Sequence, residues 1–152
     1  MAKIELKNVA HSYSPDVENP EYALKKCNLS WKDGGRYAVL GPSGCGKTTM
    51  LNIMSGLVTP SEGTIKFDGV DITNMSTAER NIAQVFQFPV IYNTMTVAQN
   101  LGFPLLCRNY PKEVITKKVD QVAQTLGLEN LLNLRATKLT ADQKQLISLG
   151  RG

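Results

Sequence analysis

A chain of 152 residues is near the commonest size of a single domain, with room for one hydrophobic core or part of one and not for two complete domains. Its 42% hydrophobic and 20% charged residues lie far from the composition of disordered chains. The net charge of +4 is scattered, with no basic run longer than Lys25-Lys26 or Lys117-Lys118, which argues against nucleic acid as a partner because phosphate neutralisation needs a concentrated basic stripe.

Lys3, Glu5 and Lys7 stand where a signal peptide needs its apolar stretch, and no apolar segment approaches the roughly 20 residues that span a bilayer. The expected location is the cytoplasm, with the membrane reached only through a partner. Cys27, Cys45 and Cys107 lie far apart without C-x-x-C pairs or nearby histidines, so reduced thiols are expected rather than a zinc site or a disulfide framework.

In chain order, Ile4, Leu6 and Val9 alternate roughly with polar neighbours and predict a half-buried strand, with His11 at its end on the surface. A second strand is predicted around Leu24–Trp31, ended by the turn Asp33-Gly34-Gly35. Arg36, Tyr37, Ala38, Val39 and Leu40 form an apolar run suited to a strand buried on both faces. A helix over Lys47–Ser55 follows, with Met50, Leu51, Ile53 and Met54 inward and Gly56 to end it. Residues 63–67 and 70–72 flank Asp68-Gly69, a pair that tolerates positive φ and predicts a hairpin. Residues 82–86 read as another buried strand. Lys112–Leu126 reads as an amphipathic helix with Val114, Ile115, Val119, Val122 and Leu126 inward and Gly127 as its cap. Thr140 and Gln143 have capping-box spacing, so a last helix starts there, with the chain ending inside it.

Gly41-Pro42-Ser43-Gly44-Cys45-Gly46-Lys47-Thr48 matches G-x-x-x-x-G-K-[ST] between a predicted strand and a predicted helix, the context this motif requires. The glycines let successive N–H groups turn inward as an anion nest at a helix N-terminus, Lys47 adds a full charge, and the Thr48 hydroxyl can ligate magnesium. At average residue usage, a chance match in a chain this long has a probability on the order of 1% or below, so a bound nucleoside triphosphate is expected, ATP with Mg2+. Cys45 is either a thiol made more acidic by the helix start or a small residue that fits the loop.

With that loop in place, nearly the whole chain resembles the ATP-binding cassette (ABC) family, in particular the ATPase subunits of bacterial carbohydrate and polyol importers. The resemblance implies an α/β, P-loop NTPase fold: a mostly parallel core around the phosphate loop, an antiparallel β subdomain, and a helical subdomain. It divides 1–152, as a partial nucleotide-binding domain, into 1–96 (phosphate-loop core and antiparallel β part) and 97–152 (helical part). It implies that Tyr13 stacks on adenine, that Thr49 adjoins the phosphate site, and that Gln87, with Thr96, Val97 and Asn100 following in pattern, reaches magnesium and the attacking water. Lys47 and Gln87 are its implied catalytic residues. Implied partners are transmembrane permease subunits and a second ATPase subunit.

The family's signature, usually Leu-Ser-Gly-Gly-Gln, aligns with Leu139, Thr140, Ala141, Asp142 and Gln143. In such dimers this segment faces the phosphate held by the other subunit. Here Ala141 and Asp142 replace two glycines, implying either a weakened composite site or an Asp that starts a helix and points away. No apolar run ending in Asp-Glu is present, and the single histidine precedes the phosphate loop rather than following it, so the chain reads as an N-terminal fragment that binds ATP but hydrolyses it poorly. Two other readings stay open, a different phosphate-loop kinase or GTPase and a non-catalytic nucleotide-binding module. The Leu-Thr-Ala-Asp-Gln variant looks like the ATPase subunits of glycerol or glycerol phosphate importers.

Overall fold

The computed structural model describes residues 2–16 and 18–152, which fall into two compact units, 1–82 and 83–152. In the first unit, β1 (Ile4–His11), β2 (Leu24–Trp31), β3 (Glu62–Phe67) and β4 (Val70–Asp71) form one sheet in the order β2-β1-β3-β4. Every ladder among the described residues is antiparallel. β3 and β4 are joined through Asp68 (φ 49°) and Gly69 (φ 82°), the left-handed pair a two-residue hairpin needs.

Helix α1 (Lys47–Ser55) lays Met50, Ile53 and Met54 against Leu6, Val9, Leu24 and Ile65 of the sheet. Each such side chain contributes about 1.5–3 kcal/mol when fully buried, so this packing anchors the helix whose first turn follows the glycine loop. Gly56 closes α1 in a left-handed conformation. Leu51 is exposed rather than inward, because the sheet covers too narrow an arc of the helix to reach it.

Two predicted strands do not form. Residues 36–40 and 82–86 belong to no ladder, and Leu40 is 89% exposed. A strand exists by its pairing, and neither run has a ladder partner among the described residues. Tyr37 instead folds back, stacking on Trp31 at 5.2 Å and accepting from the Lys32 N–H at 2.8 Å. The parallel ladder expected around the phosphate loop is therefore not among the described residues. His11, expected on the surface, is only 8% exposed, since the end of β1 lies under residues 12–14 and Ser61.

The second unit packs α2 (Val97–Cys107), α3 (Lys112–Leu126) and α4 (Ala141–Gly150) around Val97, Leu101, Val119, Ala123, Leu128, Ala136, Leu139 and Ile147. Two short 3-10 turns, Glu129–Leu131 and Ala136–Lys138, connect α3 to α4. Val114 of α3 is exposed and Ala123 takes a fully buried place, a rotation of the inward stripe set by which side α2 and α4 occupy. The division between the compact units lies at 82/83, and residues 83–96 are tied to the helices. The Val90 N–H reaches Ser148 Oγ, the Tyr92 N–H reaches Asn100 Oδ1, and Thr96 bridges to Arg135.

Candidate nucleotide-binding site

The glycine loop runs from Gly41 into the first turn of α1. Gly44 (φ 81°) and Gly46 (φ 90°) are left-handed, and Gly46 is the residue that starts the helix. A Cβ on Gly46 would lie 2.5 Å from the carbonyl oxygen of Ala23, so the loop is pressed directly onto the chain entering β2. The first helical bond runs from the Met50 N–H to the Gly46 carbonyl at 2.8 Å, which leaves the N–H groups of the preceding turn without helical acceptors. The first turn holds no acidic residue and the helix has no side-chain cap, so nothing on α1 itself neutralises these donors.

The Lys47 ammonium donates to the carbonyl oxygens of Gly41 (2.8 Å) and Pro42 (2.6 Å) and lies 3.6 Å from Cys45 Sγ. A flexible cation is thereby held over the loop by two carbonyls of the loop itself, which phosphate oxygens can replace. Ser43, Cys45 and the Thr48 side chain are exposed at the same loop. These donors fit a polyphosphate. No group of three His, Cys, Asp or Glu that could hold a metal ion occurs among the described residues.

Thr49 is buried, and its Oγ1 lies 3.4 Å from the Tyr13 hydroxyl. The structure thus brings Tyr13, a residue 63% exposed, to the first turn of α1. Sequence reasoning did not find the groups that hold it, His11 and Ser61, since the contacts span up to 50 positions and leave no local pattern. It also missed Arg80, whose buried guanidinium donates to the carbonyls of Ile53 (2.7 Å), Met54 (3.0 Å), Thr73 (2.9 Å) and Met75 (3.0 Å), closing the C-terminal end of α1.

In the second unit, Gln87 is exposed in a segment fastened to α4: Gln145 Nε2 donates to the Phe86 carbonyl at 3.1 Å, and Arg151 donates to the Val90 carbonyl while lying 4.7 Å from the Tyr92 ring centre. Thr140 is the N-cap of α4, its hydroxyl oxygen accepting from the Gln143 N–H at 3.3 Å while Gln143 Oε1 accepts from the Thr140 N–H at 3.0 Å. Ala141 opens the helix and Asp142 sits exposed in its first turn. There a carboxylate stabilises the helix start and lowers its attraction for any other anion.

The family described as ABC transporter matches residues 24–152. The chain is 38% identical over 151 residues to the sn-glycerol-3-phosphate import ATP-binding protein UgpC of Brucella abortus (strain 2308), covering 99% of this chain and 42% of that protein. It is 40% identical to the trehalose import ATP-binding protein SugC of Mycobacterium tuberculosis (strain CDC 1551 / Oshkosh), covering 99% of this chain and 37% of that protein. The chain therefore spans about two fifths of the length of these relatives. Among solved structures, the ATP-binding cassette MJ0796, a dimer in a post-hydrolysis state bound to ADP and phosphate, superposes with a TM-score of 0.84 at 30% identity over 97% of this chain and 68% of that one. A nucleotide-free cassette from an ABC transporter gives 0.81 at 26% identity over 99% of this chain and 64% of that one. The fold class is accordingly α/β of the ABC ATPase type, represented here by its antiparallel sheet, phosphate-loop helix and helical part. From its phosphate loop to its last helix, this chain belongs to the ABC transporter family.

Proposed function

We propose that this chain is the ATP-binding portion of an import ATPase, holding Mg-ATP on the loop 41–48. The observation that carries the reading is the Lys47 ammonium poised on the Gly41 and Pro42 carbonyls above the uncapped, acid-free start of α1. On binding, Lys47 exchanges those carbonyls for phosphate oxygens, the amides around Gly44, Gly46 and the first turn donate to the same phosphates, and Thr49 and Tyr13 flank the nucleoside. On this loop the Thr48 hydroxyl would be the chain's own ligand for magnesium. When bound, the metal supplies neutralising charge on the phosphates.

The wider reading is a subunit that couples ATP binding and hydrolysis to uptake of a small solute, a sugar or polyol, through permease subunits and a second ATPase subunit at the inner face of the cell membrane. Its support is the import names of the relatives, the dimeric form of the MJ0796 cassette, and the finding that no helix among the described residues is long and apolar enough to cross a membrane. A second reading, a nucleotide-binding module with little turnover, is favoured by Asp142 in the first turn of α4, where family members present glycine to a phosphate.

Calorimetry tests nucleotide binding, and phosphate release separates the two readings. The 152-residue chain is expected to give a heat of binding with Mg-ATP and Mg-ADP, and Lys47→Ala to weaken it about tenfold to hundredfold, the effect of losing a charge-assisted hydrogen bond. No heat at millimolar ligand would overturn nucleotide binding. Steady phosphate release abolished by Lys47→Ala would overturn the low-turnover reading.

A further inference from the structure

A stacking platform is effective when its ring is open to the ligand yet already fixed, because immobilising a free side chain on binding weakens affinity about twofold to tenfold. Tyr13 meets both conditions. The residue is 63% exposed, yet its ring meets the His11 ring at 4.6 Å between centres with the planes at 90°, and its hydroxyl lies 3.4 Å from Thr49 Oγ1.

His11 is itself immobile. It ends β1 opposite Leu24, is 8% exposed, and has Nδ1 3.3 Å from Ser61 Oγ. Ser61 in turn donates its N–H to the Ala10 carbonyl (3.0 Å), its hydroxyl bonds the Ser12 carbonyl (3.3 Å), and its Oγ receives the Ser12 N–H (3.2 Å). One serine thus stitches both sides of His11 into the sheet. The other ring nitrogen, Nε2, is buried with no partner among the described residues. A buried ring nitrogen left unpaired is unfavourable. The site bears that cost for the ring's shape, which packs perpendicular to Tyr13 in an aromatic arrangement that is favourable in itself.

We infer that His11 is a positioning residue for the nucleobase: its buried ring holds Tyr13 in the stacking pose, and it strengthens binding of the base without touching the phosphates. The inference rests on the proposed stacking of Tyr13 and adds the residue that makes it effective. It assigns His11 to base affinity and Lys47 to phosphate affinity, two separable contributions within the first unit.

The test compares dissociation constants for Mg-ATP and Mg-tripolyphosphate, which lacks base and sugar, in the 152-residue chain and three variants. Tyr13→Ala is expected to lower the preference for ATP over tripolyphosphate about tenfold or more, as loss of an aromatic base stack does. His11→Ala is expected to lower it about threefold to tenfold through loss of the edge-to-face pair, with tripolyphosphate affinity unchanged. His11→Phe, which keeps a ring and removes the unpaired nitrogen, is expected to retain the wild-type preference. If Tyr13→Ala lowers the preference and His11→Ala does not, the role of His11 is refuted while stacking stands. If His11→Ala weakens both ligands equally, its role is merely structural and the inference fails. If Tyr13→Ala leaves the preference unchanged, the stacking reading fails and takes the inference with it.

Discussion

Replacing Gly46 by alanine probes the joint between the loop and the sheet. The new Cβ would sit 2.5 Å from the Ala23 carbonyl oxygen and within 3.3 Å of Leu24 Cα, where real contacts stay beyond 3.0 Å. Both obstacles are backbone, so neither can swing aside. The residue must also hold φ 90°, which costs an L-residue about 1–2 kcal/mol. Overpacking against an unyielding neighbour adds about 1–3 kcal/mol, for a total of about 2–5 kcal/mol. Gly44→Ala is the internal control, since it is equally left-handed (φ 81°) but has open space at the Cβ position and carries only the conformational cost. Urea unfolding followed by far-UV circular dichroism should therefore separate the two variants by about 1–3 kcal/mol, with Gly46→Ala the less stable. Equal midpoints and slopes for the two would show that the loop does not bear on the Ala23 backbone.

The remaining expectations concern the frame around the site. Arg80→Met removes the donors to four carbonyls and should cost about 2–4 kcal/mol in urea unfolding, and Arg80→Lys should recover less than half, because one ammonium cannot fork to Ile53, Met54, Thr73 and Met75 together. Asn100 is fully buried, donating to the Tyr92 and Thr96 carbonyls and accepting from the Tyr92 N–H, so Asn100→Ala should destabilise the second unit by about 2–4 kcal/mol in the same assay. The Glu62 carboxyl is held below its ordinary pKa first by the hydrogen bond from Lys26 and then by that from Tyr22, and Asp71 by the Thr73 hydroxyl and amide. For both groups the unfolded chain binds protons more readily than the folded one. Their contribution is thus present above the usual carboxylate range and lost as pH falls through the lowered folded values. Between about pH 6 and about pH 3 the urea midpoint should fall less for Glu62→Gln/Asp71→Asn than for wild type, and parallel losses would refute these ion and hydroxyl contacts as the source.

Local chemistry alone determined much of this protein. The G-x-x-x-x-G-K-[ST] spacing announces a nest with a lysine, and Lys47 does lie over the loop on the carbonyls of Gly41 and Pro42. The bounds of α1 and α3, the glycines that end them, the Asp68-Gly69 turn and the Thr140/Gln143 capping box are all decided within a few residues, by φ preference and by side chains that reach their own backbone.

The tertiary structure alone decided whatever depends on a distant partner. Apolar runs at 36–40 and 82–86 have the composition of buried strands, yet a strand is a paired object and composition carries no record of its pair. The C-terminal end of α1 is closed by Arg80, more than 20 residues away, and His11 is held by Ser61, 50 residues on. Which of Leu51, Val114 and Ala123 faces inward depends on how wide an arc the neighbouring elements cover. Packing is non-local and non-directional, so one sequence pattern fits several arcs until the elements have met.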